Sequence, residues 1–154
     1  MKEKYNEILN RVIRYCKYQE RCKSDLENKL NRLEVPNKMK ELIIRELSEK
    51  GFFNNKRFSN EYAIGKFRNN YWGKIKIRYN LKFRSIEKNI IDEALKKIPE
   101  DEYLSAFNKI AQKHWRLGSR LDLIPRKRRF LRTLQSKGWE FGLINEFLSE
   151  TDKK

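Results

Sequence analysis

The sequence predicts an all-α protein, an elongated array of tandem three-helix units of helix-turn-helix type. Three observations carry that prediction. First, six apolar positions occur three times: Ile77, Leu81, Ile86, Ile90, Ala94 and Leu95 reappear 51 residues earlier as Leu26, Leu30, Val35, Met39, Ile43 and Ile44, and 53 residues later as Phe130, Leu134, Trp139, Leu143, Phe147 and Leu148. Apolar residues held at such a period belong to units that stack to share a core. Second, six Gly and three Pro in 154 residues leave few breaks between helices. Third, alternating runs such as Lys74–Arg78 are short and fit the helical register of the other copies better than a strand.

The frame of the repeat divides the chain into a lead helix at 1–20, repeats at 21–70, 71–118 and 119–150, and a frayed tail at 151–154. In the lead helix Ile8, Val12, Tyr15 and Cys16 form the inner face. Ser24-Asp25-Leu26-Glu27 reads as a capping box opening a short helix through Leu33. Pro36 suits the first turn of the next helix, which Gly51 ends. Asn54 caps a helix over Asn55–Asn69, with Phe58, Tyr62 and Phe67 toward the core. Asn69 to Gly73 form a turn, and Gly73 opens a basic helix with Ile77 and Leu81 on its inner face and Lys74, Arg78 and Lys82 on a cationic one. Ser85 is the expected N-cap of the helix after it, with Glu87 in its first turn. Pro99 closes that unit, and Glu100-Asp101-Glu102 start a helix that Gly118 ends. Pro125 opens a helix over Arg126–Gln135, Lys137-Gly138 turns the chain, and Glu140–Ser149 is the last helix.

Charge carries the next inference. The chain holds 37 Lys and Arg against 21 Asp and Glu, a formal net charge of +16. That surplus points to a polyanionic partner, most simply nucleic acid. It is densest in the middle: from Tyr62 to Ile86 there is no acid among seven Lys or Arg. No run approaches the roughly 18 apolar residues of a membrane span, and MKEKYNEILN lacks an apolar signal region, so cytoplasmic placement, as a monomer without a membrane partner, is the expectation. Cys16 and Cys22, with His114 as the one histidine, are too few for a zinc site and read as packed thiols. Phosphate loops, H-E-x-x-H and G-x-S-x-G motifs are missing, which argues against an enzyme and against a cofactor.

Several segments together resemble the RecX family of bacterial regulatory proteins, over roughly Arg14 to Leu148. They are Tyr15-Cys16-Lys17-Tyr18-Gln19-Glu20-Arg21-Cys22, similar to the opening of Bacteroidetes-type members; Gly51-Phe52-Phe53-Asn54-Asn55-Lys56-Arg57-Phe58-Ser59; Lys66-Phe67 with Trp72-Gly73-Lys74-Ile75-Lys76-Ile77 and Leu81; and Phe130-Leu131, Leu134 and Lys137-Gly138-Trp139. The chain departs from the family pattern at Asn54, Asn55 and Asn80, where acids are usual, and at Phe83-Arg84-Ser85-Ile86, where the family has Lys-Gly-Ile. The resemblance implies a helical-repeat protein that binds the RecA recombinase along its filament on DNA. It implies inhibition of strand exchange, ATP hydrolysis and coprotease activity, and so a part in recombination, DNA repair and the SOS response.

The candidate contacts to RecA or to single- or double-stranded DNA are Lys66, Arg68, Lys74, Lys76, Arg78, Lys82 and Arg84 in the middle, and Arg126, Lys127, Arg128, Arg129 and Arg132 beyond. Lys and Arg neutralise phosphates and release counterions; the competing reading is a merely solvated face. Trp72 and Trp115 could stack on bases, whereas Trp139 repeats a core position. Arg57 is a candidate ion pair or cap to a neighbouring unit. The alternative function is a helix-turn-helix transcription regulator with Arg126–Arg132 in a major groove.

Overall fold

The computed structural model describes residues 2–153, and among them every regular element is an α-helix. The helices are α1 (Lys2–Tyr18), α2 (Lys23–Arg32), α3 (Asn37–Glu49), α4 (Asn55–Asn70), α5 (Lys74–Phe83), α6 (Lys88–Lys96), α7 (Glu100–Leu117), α8 (Leu123–Ser136) and α9 (Phe141–Asp152). They pack in threes: α1 with α2 and α3, α4 with α5 and α6, α7 with α8 and α9. The packed units therefore run one helix out of phase with the repeat frame. The lead helix is the first helix of unit one, and α4 and α7 open units two and three instead of closing the repeats at 70 and 118. The reason lies in the pattern itself, which covers only the second and third helices of each unit. The first helices fill the core with residues that do not repeat: Ile8, Leu9 and Val12 in α1, Phe58, Ala63 and Phe67 in α4, Tyr103, Phe107 and Ile110 in α7.

The turn joining second and third helices is the same in all three units. The carbonyls of Leu30, Leu81 and Leu134 accept the N–H of Val35 (3.2 Å), Ile86 (3.3 Å) and Trp139 (3.1 Å). Between them Glu34, Ser85 and Gly138 take the left-handed conformation, with φ of +56°, +59° and +90°. This is a Schellman turn, in which the residue after the left-handed one packs back on the helix; Val35, Ile86 and Trp139 are all buried. Ser85 is thus a helix terminator and not the N-cap expected of it; α6 begins at Lys88, capped by Glu87. Ser24 is likewise inside α2, whose cap is Cys22, and the Cys22 N–H donates to the Asp25 carboxylate at 3.2 Å. Pro36 stands one residue before α3. Helix α8 starts at Leu123, with Pro125 in its first turn where a missing N–H costs nothing. Helix α9 continues through Asp152, into the expected tail, whose Lys154 lies outside the described residues. Ile91, Ala94 and Leu95 are the buried residues of α6, with Ile90 half-buried at their edge. Asn54, Gly73 and Gly118 do as expected: the Asn54 Oδ1 accepts the Arg57 N–H at 2.9 Å, Gly73 caps α5, and Gly118 closes α7.

Units two and three share one apolar core, while unit one has its own. At the second joint the start of α5 lies against the α8–α9 turn. The Gly73 N–H donates to the Lys137 carbonyl (2.8 Å) and the Ile75 N–H to the Gly138 carbonyl (3.0 Å). The Lys74 N–H donates to the Tyr103 hydroxyl at 2.9 Å, which in turn donates to the Glu140 carboxylate. A Cβ on Gly73 would fall 2.3 Å from the Gly138 oxygen, and one on Gly138 would fall 2.5 Å from the Lys76 nitrogen. Trp139 stacks beside Tyr103 at 4.7 Å and Phe107 at 5.5 Å and donates its Nε1–H to the Tyr71 carbonyl at 3.0 Å. The first joint is smaller and more polar. Cys22 enters the core of units two and three, Lys23 N–H donates to Asn55 (3.0 Å), and Arg57 pairs with Glu20 at 2.6 Å. Arg57 thus makes the cross-unit ion pair that its sequence position suggested.

Two outcomes are expected. Glu34→Gly and Ser85→Gly each raise unfolding stability by about 1 kcal/mol, because glycine removes the left-handed strain, whereas Gly73→Ala lowers it by about 3 kcal/mol or more through the backbone clash; urea titration measures both. Burial pushes the Cys16 and Cys22 thiols up to about 11, so at pH 8 the native chain resists a thiol-specific disulfide reagent and the unfolded chain consumes it rapidly.

Candidate interaction surfaces

Helix α5 has two unlike apolar faces. Ile77 and Leu81 point inward and are fully buried. Ile75, Tyr79 and Phe83 stand at i, i+4 and i+8, one above the other on a different face, and are 53%, 69% and 79% exposed. A row of three large apolar side chains in water marks an interaction site more often than chance does. The four-residue spacing that would have shown this row is visible in the sequence. The inner pair and the cations on α5 have the same spacing, which masks the row in the sequence.

The twelve candidate cations separate into held and free groups. Arg68 forms a two-pronged pair with Glu102 at 2.8 and 2.9 Å, which holds the Glu102 carboxyl below its ordinary value through hydrogen bonding and charge. Lys74 lies 3.6 Å from Glu100 and over the Tyr103 ring. Arg78 meets Asp92 at 2.7 Å. The acid-free stretch therefore finds its counter-charges in α6 and α7, beyond the window that appeared unopposed. Arg84 bonds the Asn80 carbonyl and lies over Tyr62. Lys66 and Lys76 both sit over the Trp72 ring, at 5.1 and 4.4 Å. Arg126 donates twice to the Trp115 carbonyl and covers its ring at 3.8 Å. Lys127 pairs with Asp152. Lys82, Arg128, Arg129 and Arg132 are exposed and have no ion-pair partner among the described residues.

The tryptophans follow the same logic. Trp139 is core, as expected, while Trp72 and Trp115 are half-buried under cations that occupy a ring face. A groove of about 1010 Å³ between units one and two mixes Lys23, Lys40, Arg45 and Lys56 with Glu27, Glu41 and Glu49; the interspersed acids make it a poor phosphate cradle. Among the described residues no group of three His, Cys, Asp or Glu could hold a metal ion, and no helix is long and apolar enough to cross a membrane. Burial, then Lys137, Lys113 and Arg129, hold the His114 pKa below its ordinary value. The sorting of cations has a direct check: replacing Lys82, Arg128, Arg129 or Arg132 by Gln shifts urea-measured stability by less than about 0.5 kcal/mol, while Arg126→Gln, which strips two hydrogen bonds, costs about 1–2 kcal/mol.

Comparison with known proteins bears on these surfaces. Residues 54–95 match the family described as RecX, second three-helix domain, and residues 100–148 match RecX, third three-helix domain. These ranges coincide with α4–α6 and α7–α9. A regulatory protein RecX of Bacillus velezensis is 26% identical over 143 residues, covering 93% of this chain and 54% of the relative. One from Clostridium acetobutylicum is 30% identical over 134 residues, covering 84% and 62%. The chain thus spans little more than half the length of these relatives. The crystal structure of RecX from Lactobacillus salivarius superposes with a TM-score of 0.83 at 21% identity over the full length of both chains. Another, of regulatory protein RecX, gives 0.84 at 22% identity, over 95% of this chain and 71% of that one. Both likenesses establish the fold; the two domain matches and the similar relatives show that the chain belongs to the RecX family of regulatory proteins.

Proposed function

We propose that this chain docks on the RecA recombinase, on its filament with DNA, and restrains strand exchange, ATP hydrolysis and coprotease activity. Recombination, DNA repair and the SOS response are then the processes it tunes, in the cytoplasm. The observation that carries the reading is the exposed row Ile75, Tyr79 and Phe83 on a helix whose own sequence holds no acid. An apolar row on one helix suits a groove on a protein partner, and aromatic anchors supply most of the energy at such contacts. The free cations Lys82, Arg128, Arg129 and Arg132 steer approach to a polyanionic filament and speed encounter more than they add affinity. Lys74 and Arg78, held by Glu100 and Asp92, have the smaller part.

The transcription-regulator alternative, with Arg126–Arg132 of α8 in a major groove, has less support. Arg126 is tied to the Trp115 carbonyl and Lys127 to Asp152. The adjoining α9 carries Glu146, Glu150 and Asp152 and no Lys or Arg, which phosphates beside α8 would repel.

The decisive assay combines RecA, single-stranded DNA and ATP with this protein at near-stoichiometric amounts. ATP hydrolysis and strand exchange fall with the unaltered chain. The Tyr79→Ser/Phe83→Ser variant needs on the order of 30-fold more protein for the same effect, as the loss of an aromatic anchor implies, with an unchanged melting temperature because both side chains are in water. Full RecA activity in the presence of the unaltered chain refutes the reading.

A further inference from the structure

Helix α7 carries a cationic face that lies outside the sets above. Lys109, Lys113 and Arg116 stand at i, i+4 and i+7 and so share one side of the helix. With Tyr71 and Ile110 they line a hollow of about 280 Å³ in which there is no carboxylate. None of the three has an ion-pair partner among the described residues. The acids nearest along the surface are already engaged. Glu102, in the adjoining hollow that Lys109 and Tyr71 also line, is gripped by Arg68. Glu150, in the hollow beyond Arg116, has Lys153 at 3.8 Å. Like charges one turn apart on a helix repel, and after burial the charges of Lys137, Lys113 and Arg129 add to what holds the His114 pKa below its ordinary value. The face is therefore a concentration of positive charge that the fold does not use.

The chemistry of the lining selects the ligand. Three cations separated along the helix axis by about 6 Å and about 4.5 Å match a chain of phosphates better than a single anion. The half-buried Tyr71 ring beside them offers an apolar seat for one base, with the edge of the buried Ile110 as its floor. The hollow is too small for a larger organic ligand. A base reaches such a seat only when it is unpaired, since a duplex keeps its base faces stacked. We propose that this face of α7 binds single-stranded nucleic acid, with Lys109, Lys113 and Arg116 on consecutive phosphates and a base against Tyr71 and Ile110. The site is a property of this chain alone and stands apart from docking on RecA.

The test uses the full chain without RecA. Fluorescence anisotropy of a fluorescein-labelled oligothymidylate is followed at several KCl concentrations for the unaltered protein and for the Lys109→Gln/Lys113→Gln/Arg116→Gln variant. Three lost phosphate contacts make the slope of log affinity against log salt shallower by about 2, and affinity at the lowest salt falls at least tenfold. Glutamine keeps the exposed helix intact, and an unchanged melting temperature confirms it. The charge-matched Arg128→Gln/Arg129→Gln/Arg132→Gln variant loses less than about threefold, because those arginines line none of the hollows described above. Equal losses in the two variants would reduce binding to diffuse net charge and overturn the site. An unchanged slope in the α7 variant would overturn it too, and equal affinity for a duplex of the same length would overturn the single-strand assignment.

Discussion

The first turn of α5 brings backbone donors that its own helix cannot satisfy, and Gly73, Lys74 and Ile75 find their acceptors across the joint in unit three. Apolar burial drives units together but has no direction; these three bonds do, and they set the angle and register of α5 against the α8–α9 turn. They exist only because two glycines face each other, for a Cβ at 73 or 138 would occupy the space of the opposing backbone. The cluster of Phe67, Tyr103, Phe107 and Trp139 then closes over the contact and keeps water from competing for it. The outward row of α5 faces solvent as a consequence of how its inner side is held.

Much of this was legible in the chain. The 51- and 53-residue shifts that align Leu30, Leu81 and Leu134 also align Glu34, Ser85 and Gly138, the three left-handed residues. Only Gly138 looks like a turn former, so Ser85 passed for a helix cap: a serine before an apolar run gives the same local signal in both roles. The phase of the units was illegible because α1, α4 and α7 meet the core with different side chains. The fates of the cations were hidden for another reason. Arg68, Lys74 and Arg78 are neutralised by Glu102, Glu100 and Asp92, and pairings across 34, 26 and 14 residues leave no mark on a local charge count.

The two joints divide the molecule unevenly. Units two and three form one core and carry α5, α7 and α8, so the outward row of α5 and the cations of α7 and α8 belong to a single packed body. Unit one is attached through one buried thiol and a few polar contacts, among them Arg57 with Glu20. Near that joint the buried Ser59 hydroxyl and Arg84 Nε lack protein partners, whereas the backbone donors of the second joint are matched. Partly satisfied polar contacts hold less firmly than a shared apolar core, so the joint between units one and two is the weaker of the two.

The charge distribution follows from the same packing. A net charge of +16 destabilises a compact chain by self-repulsion. Where cations crowd the joints the fold offsets that cost, with Glu100 and Glu102 at the start of α7 meeting Lys74 and Arg68. Those acids also sit where the dipole of α7 favours them, so one placement serves the helix and the pair. At the other end of α7, Lys113 and Arg116 suit the dipole of the C-terminal turns but have no acid opposite, and the arginines of α8 lie nearby in the same condition. Unit three thus keeps cations with no ion-pair partner among the described residues, Lys113 and Arg116 late in α7 and Arg128, Arg129 and Arg132 on α8. Any polyanion that settles there removes repulsion the folded chain already bears, so part of its binding free energy is the relief of that repulsion, and this part weakens as salt screens it.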